Sequence, residues 1–183
     1  MKPTILPYEG ITPTIDPSVF VAPGCAVIGD VQIGADSSLW YNVVVRGDVD
    51  SIRIGARTNI QDGSIVHVTT KTYATIIGDD VLIGHMAVIH GCTIGDRAFI
   101  GMGAMVMDGC VIEEGGRLAA GAMLTPGKRI PSGQLWAGRP ASYMRDATEA
   151  ELGRQLATCA GYAQTAKKHM REIAAAASAV AAD

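Results

Sequence analysis

The stretch "TIGDRAFIGMGAMVMDGCVIEEGGRLAAGAMLTPGKRI", residues 93–130, sets the fold. Ile94, Ile100, Val106, Ile112, Leu118, Leu124 and Ile130 recur in it at an unbroken step of six. Six matches neither the ~3.6-residue period of an amphipathic helix nor the alternation of a simple hairpin. It matches a parallel β-helix: each hexapeptide makes one short strand and one corner, and three hexapeptides close a triangular coil. The aliphatic residue points into the prism, and small residues, often a Gly directly after it, permit the corners.

The series extends outward from this core. It runs back through Ile89, Ile83 and Ile77, through Val66, Ile60 and Ile54, and through Val45, Leu39, Ile33, Val27 and Val21, slipping in phase between the groups. Trp136 closes it at the other end. A chance run of Ile and Val in a β-sandwich would not sustain so long a series. The eighteen aliphatic positions imply about six coils and a prism roughly 29 Å tall. A Gly content of 22 with only 5% aromatics suits an architecture made of tight turns.

The repeat domain is expected over residues 1–140, and the composition changes after Pro140. Thr148-Glu-Ala-Glu151 has the form of a capping box. Leu152, Leu156, Cys159, Ala163, Ala166, Met170 and Ile173 then recur at steps of three and four, the mark of one apolar helical face. Residues 141–183 are therefore expected to supply a helix packed along the prism. Over 148–175 it would be roughly 42 Å long, enough to run the prism's height. His169 falls on the polar side of that helix and is expected at the surface.

Composition narrows the function classes. The chain has 183 residues and a net charge of −3, so nothing points to nucleic acid or an anionic membrane. No basic, apolar leader opens it and no apolar run approaches ~18 residues, so a soluble, cytoplasmic protein is expected. Cys25, Cys92, Cys110 and Cys159 form no CxxC pair, which favours reduced thiols.

The chemistry lies in the histidines. Of only four, His85 and His90 fall in "IGHMAVIHGC", residues 83–92, and His67 falls in "IVHVTT". Strand side chains alternate in and out, so the residue after each inward aliphatic points outward. On one prism face those residues are Ile28, Arg46, His67, His90 and Met107. His67 and His90 become stacked neighbours in adjacent coils, although a loop within "VTTKTYAT" hides the repeat between them. His85 lies elsewhere, at the corner after Ile83 and above Asp62. A lone histidine on a β surface is ordinarily polar decoration, whereas three converging on one level point to a metal. Tetrahedral zinc wants nitrogens about 3.3 Å apart. The stacked pair can nearly meet that, and a corner residue of a second prism about a three-fold axis can supply the third ligand.

The motifs "RGD" (46–48), "NIQDGSIVH" (59–67), "IGHMAVIHGCTIGD" (83–96) and "GMGAMVMDG" (101–109) resemble those of the gamma-class carbonic anhydrase family, over roughly residues 10–145. The resemblance implies a left-handed parallel β-helix, an exception to the usual crossover hand. It also implies a homotrimer with a metal at each subunit interface, acting on CO2 and bicarbonate. His67 and His90 match the pair from one subunit and His85 the ligand lent by the next. Arg46 and Asp48 resemble the pair that ties subunits together beside the bicarbonate site. Gln61 and Asp62 resemble residues that hydrogen-bond near the reacting oxygen. Zn2+ is the expected cofactor, with Fe2+ or Co2+ as alternatives because imidazole suits several divalent metals. Zinc held by three neutral imidazoles and open to one further ligand acidifies water toward a pKa of ~7, as CO2 hydration requires.

One departure from the family affects rate. The loop "VTTKTYAT" has no Glu, Asp or His where the resemblance implies an acidic proton shuttle. Lys71 and Tyr73 are poor shuttles near neutrality, and Tyr162 on the tail helix is the substitute to examine. Slow hydration is therefore expected. Three other functions fit parts of the pattern: a metal-stabilised trimer without catalysis, a CoA-thioester hydrolase, and a hexapeptide acyltransferase with a His as general base.

Overall fold

The computed structural model describes residues 2–180. It is a parallel β-helix with one long helix laid alongside. Leu39, Ile60, Ile83, Ile100 and Leu118 stack in register on one inner face and are fully buried. Val27, Val45, Val66, Ile89, Val106 and Leu124 fill the second, and Ile33, Ile54, Ile77, Ile94, Ile112 and Ile130 the third. Each position predicted from the six-residue period to point inward does so. Trp136 pairs with Leu118 and ends the stack.

The prism has one more coil than the six expected. One face is an eight-stranded sheet in which seven strands run parallel and the last, Ala141–Asp146, turns back antiparallel to Gln134–Gly138. The additional coil is the first. Thr4–Leu6 pairs with Ala26–Ile28, and Thr14–Ile15 pairs with Gln32–Ile33. Its aliphatics Ile5 and Ile15 are ten residues apart, separated by a Pro7–Pro13 loop that Tyr8 and Ile11 pin. The loop breaks the period of six, so the period did not reveal the coil. Pro3, Pro7, Pro13 and Pro17 also flank these edge strands, and proline is one of the residues that blunt an open sheet edge.

The corners explain several residues the period leaves free. The third residue after an inward aliphatic takes a left-handed conformation, as at Asp36, Asn42, Arg57, Asp80, Met86, Arg97, Gly103, Gly115 and Gly121. Asp and Asn tolerate that region, whereas a bulky Met at φ 59 is unusual. Met86 is the residue after His85.

Strand Ala141–Asp146 carries the sheet past the boundary drawn at residue 140, and helix α1 (Glu149–Val180) follows. The capping box is present: Glu151 N–H donates to Thr148 Oγ1 at 3.2 Å and Thr148 N–H to Glu151 Oε2 at 2.9 Å. The face of α1 that packs on the prism overlaps the expected stripe, which held Cys159, Ala166 and Ile173, but is rotated from it. Gln155, Cys159 and Ala166 are buried, while Leu156 and Met170 are 40% and 37% exposed. Gln155 sets this rotation. Its amide donates at 2.8 Å to the carbonyls of both Arg97 and Ala98, and its Oε1 accepts from Arg117 Nη1 at 2.6 Å. His169 is likewise not a surface residue. It packs among Phe20, Trp40 and Tyr41, with Nδ1 2.9 Å from the Tyr41 hydroxyl.

Among the described residues, no helix is long and apolar enough to cross a membrane. All four cysteines are free and buried. Burial raises each thiol's pKa, that of Cys159 to about 11, so none is primed as a thiolate.

Candidate metal centre

His67 ends the strand Ile65–His67 and His90 ends Val88–His90, and the two are register partners. Their rings lie 5.0 Å apart at 62°, with His67 Nδ1 3.1 Å from His90 Nε2. Each ring's other nitrogen meets a carboxylate. His67 Nε2 is 3.0 Å from Asp48 Oδ1, and His90 Nδ1 is 2.6 Å from Asp108 Oδ1. Arg46 pairs with Asp48, and the Thr69 hydroxyl donates to Asp108 Oδ2 at 2.8 Å.

The two carboxylates bias where the ring protons sit. Burial alone would raise the pKa of Asp48, but hydrogen bonds from His67 and Arg46 outweigh it and hold the carboxyl below its usual range. Asp108 is lowered in the same way, with His90 and Thr69 outweighing its burial. Both acids are therefore anionic acceptors and draw each ring's N–H toward themselves. The two nitrogens that face each other then carry lone pairs. A metal ion set between two such nitrogens, 3.1 Å apart, would be ligated by both. An imidazole whose second nitrogen is tied to a carboxylate is the usual support of a metal-ligating histidine. The donor set fits a divalent metal.

His85 stands apart from this pair. Its Nδ1 is 2.9 Å from Asp62 Oδ2, and 44% of its side chain is exposed. The left-handed Met86 follows it, itself 67% exposed. Among the described residues, no three His, Cys, Asp or Glu side chains of one chain gather to hold an ion. Gln61 is buried and directly follows the strand Asn59–Ile60. Asn59 donates to Ser38 Oγ at 2.9 Å, and its own Oδ1 is buried without a partner. Tyr162 packs edge-on against Trp40 on the helix-covered face, with ring centroids 5.4 Å apart, and is not part of the His67–His90 cluster. In the loop, Thr69 and Tyr73 form an isolated bridge. A Cβ built on Gly91 would approach both Tyr73 Cβ and Asp108 Oδ1, so that glycine keeps the space beside His90 open.

Sequence reasoning missed Asp108, Thr69 and Asn59. Asp108 had a signal: it lies eighteen residues after His90, one full coil of the six-residue repeat. Thr69 and Asn59 are placed by the loop turn and by the helix-covered face, which the period does not describe.

The family model described as "Bacterial transferase hexapeptide (six repeats)" matches residues 74–106 and 91–126. With the stacked coils, this defines the class as a hexapeptide-repeat β-helix. Over 166 residues the chain is 48% identical to "Gamma carbonic anhydrase 2, mitochondrial" of Arabidopsis thaliana, covering 88% of this chain and 60% of that protein. Over 138 residues it is 55% identical to "Probable carbonic anhydrase" of Methanocaldococcus jannaschii, covering 75% and 86%. A solved structure titled as a putative acetyltransferase from Bacillus cereus superposes with a TM-score of 0.90 at 37% identity, covering 92% of this chain and 98% of that one. The chain belongs to the gamma carbonic anhydrase family of hexapeptide-repeat proteins. It spans about three fifths of the length of the plant relative.

Proposed function

We propose that this protein hydrates CO2 reversibly at a divalent metal, zinc in the first instance, held between two copies of the chain in a trimer. The observation that carries this is the pair of facing ring nitrogens on His67 and His90, 3.1 Å apart, each ring braced by its own carboxylate. His67 and His90 of one copy and His85 of the partner subunit would hold the ion. When bound, the metal supplies the Lewis acidity that makes water nucleophilic near neutral pH.

The remaining roles fall to the chain's own groups. Asp48 and Asp108 each bind one ring nitrogen and so orient the other toward the ion. Asp62 does the same for His85. Arg46, 43% exposed at its side chain and paired to Asp48, places positive charge where the product anion forms. Gln61 offers a buried amide to orient the reacting oxygen.

The trimer rests on an apolar surface. Val44, Ile65, Val88, Met105 and Met123 form a register ladder on the outer face that bears the histidines. Ile65 is 45% exposed in the single chain, as is 58% of Met102 near the His85 corner. Such a patch surrounding polar groups has the form of a subunit interface. One structural relative is described as a putative acetyltransferase, which raises acyl transfer as an alternative. That reaction wants one histidine as a base, whereas here two stacked rings present facing nitrogens 3.1 Å apart, an arrangement suited to a shared ion.

The proton must also leave, and the loop between Val68 and Ile77 holds no acid or histidine. Turnover is therefore expected to rise with the concentration of a small buffer such as imidazole at fixed pH. Stopped-flow CO2 hydration with and without chelator tests the reading. Chelator-sensitive, buffer-dependent turnover supports it, and metal-loaded protein that is inactive at every buffer concentration overturns it.

A further inference from the structure

A cavity of about 410 Å³ opens between α1 and the outer side of the strands Leu82–Ile83, Phe99–Ile100, Arg117–Leu118 and Gln134–Gly138. None of the metal-centre residues lines it. Its main polar wall is Arg117, which points outward because Leu118 points in, and which α1 then covers. Arg117 is only 7% exposed. Its guanidinium lies 4.6 Å from the Phe99 ring centroid, and its Nη1 donates to Gln155 Oε1 at 2.6 Å.

That hydrogen bond is to a neutral amide. A guanidinium has five N–H donors and always carries charge. Among the described residues, Glu151 is the one acid lining the cavity. Arg145 already holds it through two hydrogen bonds, at 2.8 and 2.7 Å. Arg154 lines the same wall and adds a second positive charge. A buried charge without a counter-ion is costly, and here the cost coincides with an open cavity. Apart from Gln155 and Thr158, the rest of the lining is apolar: Leu82, Phe99, Ala119, Ala120 and Leu135. A planar fork receives a planar carboxylate through two parallel hydrogen bonds, and an apolar floor suits a short hydrocarbon body.

We propose that this cavity binds a small organic monocarboxylate. Its carboxylate sits on Arg117, with Arg154 beside it, and its hydrocarbon lies over Leu82, Ala119 and Leu135. The site is separate from the metal centre.

Titration calorimetry of the metal-loaded protein with sodium butyrate tests the proposal, with butyramide as the neutral counterpart and bicarbonate and phosphate as plain anions. Butyrate is expected to bind, and each of the other three to bind at least about tenfold more weakly. Arg117→Met removes the charge and is expected to weaken butyrate by at least about tenfold. Because Arg117 also contacts Gln155, a second variant leaves it in place: Ala119→Leu fills the apolar floor and is expected to weaken butyrate similarly. Both variants should retain the hydration rate of the unaltered protein. Absence of butyrate binding up to about 50 mM, equal binding of butyramide, tighter binding of bicarbonate or phosphate, or butyrate affinity untouched by Ala119→Leu would each overturn the proposal.

Discussion

His90→Ala is expected to leave the protein folded but without its metal, and to reduce CO2 hydration to the rate of buffer alone. The side chain lies on the outside of the prism, one residue past the fully buried Ile89, so its loss opens no void in the core. It does remove one of the two nitrogens 3.1 Å apart and leaves Asp108 with a single hydroxyl partner, Thr69. A site reduced from three protein ligands to two no longer meets the needs of a catalytic zinc. Metal per chain should fall to below about a tenth of the unaltered value, and hydration by at least ~10³-fold. Asp108→Asn provides the graded control. It keeps the ring but weakens the group that orients it, which typically costs ~10–100-fold in metal affinity or activity. Elemental analysis and stopped-flow hydration on the same samples read both effects. Metal retained in full by His90→Ala would remove this residue from the ligand set.

Gly101→Val is expected to have the largest effect on the fold. Gly101 follows the inward Ile100, and its N–H bonds Leu118 O in the next coil at 2.8 Å. A Cβ there would overlap Ala120 N and lie 2.6 Å from the Ala119 carbonyl carbon. Both are backbone atoms of that coil, so no side chain can rotate away and the coils must part. Such overpacking belongs among the exceptional substitutions, at ~4 kcal/mol or more, which for a chain of this size lowers Tm by roughly 8 °C or more. Gly121→Ala is the contrast. Nothing lies within 4 Å of its Cβ position, and the cost is only that of holding φ +67 in a residue with a Cβ, about 1–2 kcal/mol. Thermal melts of the two variants should differ clearly. Equal melts would mean that the coil register around residue 101 differs from that described.

Much of this was legible because a β-helix turns sequence spacing directly into position. His67 and His90 are 23 residues apart, yet the aliphatics Val66 and Ile89 mark their places on one face, and the Thr69–Tyr73 turn absorbs the extra residues. The same counting places Asp62 beneath His85. It fails where the period is interrupted or where tertiary hydrogen bonds decide. The first coil was hidden by the proline loop between Ile5 and Ile15. The rotation of α1 followed from Gln155 reaching two prism carbonyls and Arg117, which no apolar pattern records. His169 is drawn inward by the Phe20, Trp40 and Tyr41 cluster, an arrangement visible only once the first coils are built. Asp108 is the instructive omission. The coil spacing pointed to it, but the outward row was read at Met107 and stopped one residue short.

The proposed metal centre needs residues from two chains. The most direct test is to refold His85→Ala chains together with His67→Ala chains in equal amounts and to measure bound metal and CO2 hydration in the mixture. Neither variant alone should hold metal, since every interface then lacks a ligand. In a randomly mixed head-to-tail trimer, an interface is complete when its His67 side comes from a His85→Ala chain and its His85 side from a His67→Ala chain. That holds for about one quarter of the interfaces. Recovery of about one quarter of the unaltered protein's metal and turnover is therefore expected. Mixed trimers that bind no metal, under conditions in which the refolded unaltered protein binds it, would contradict a two-chain centre.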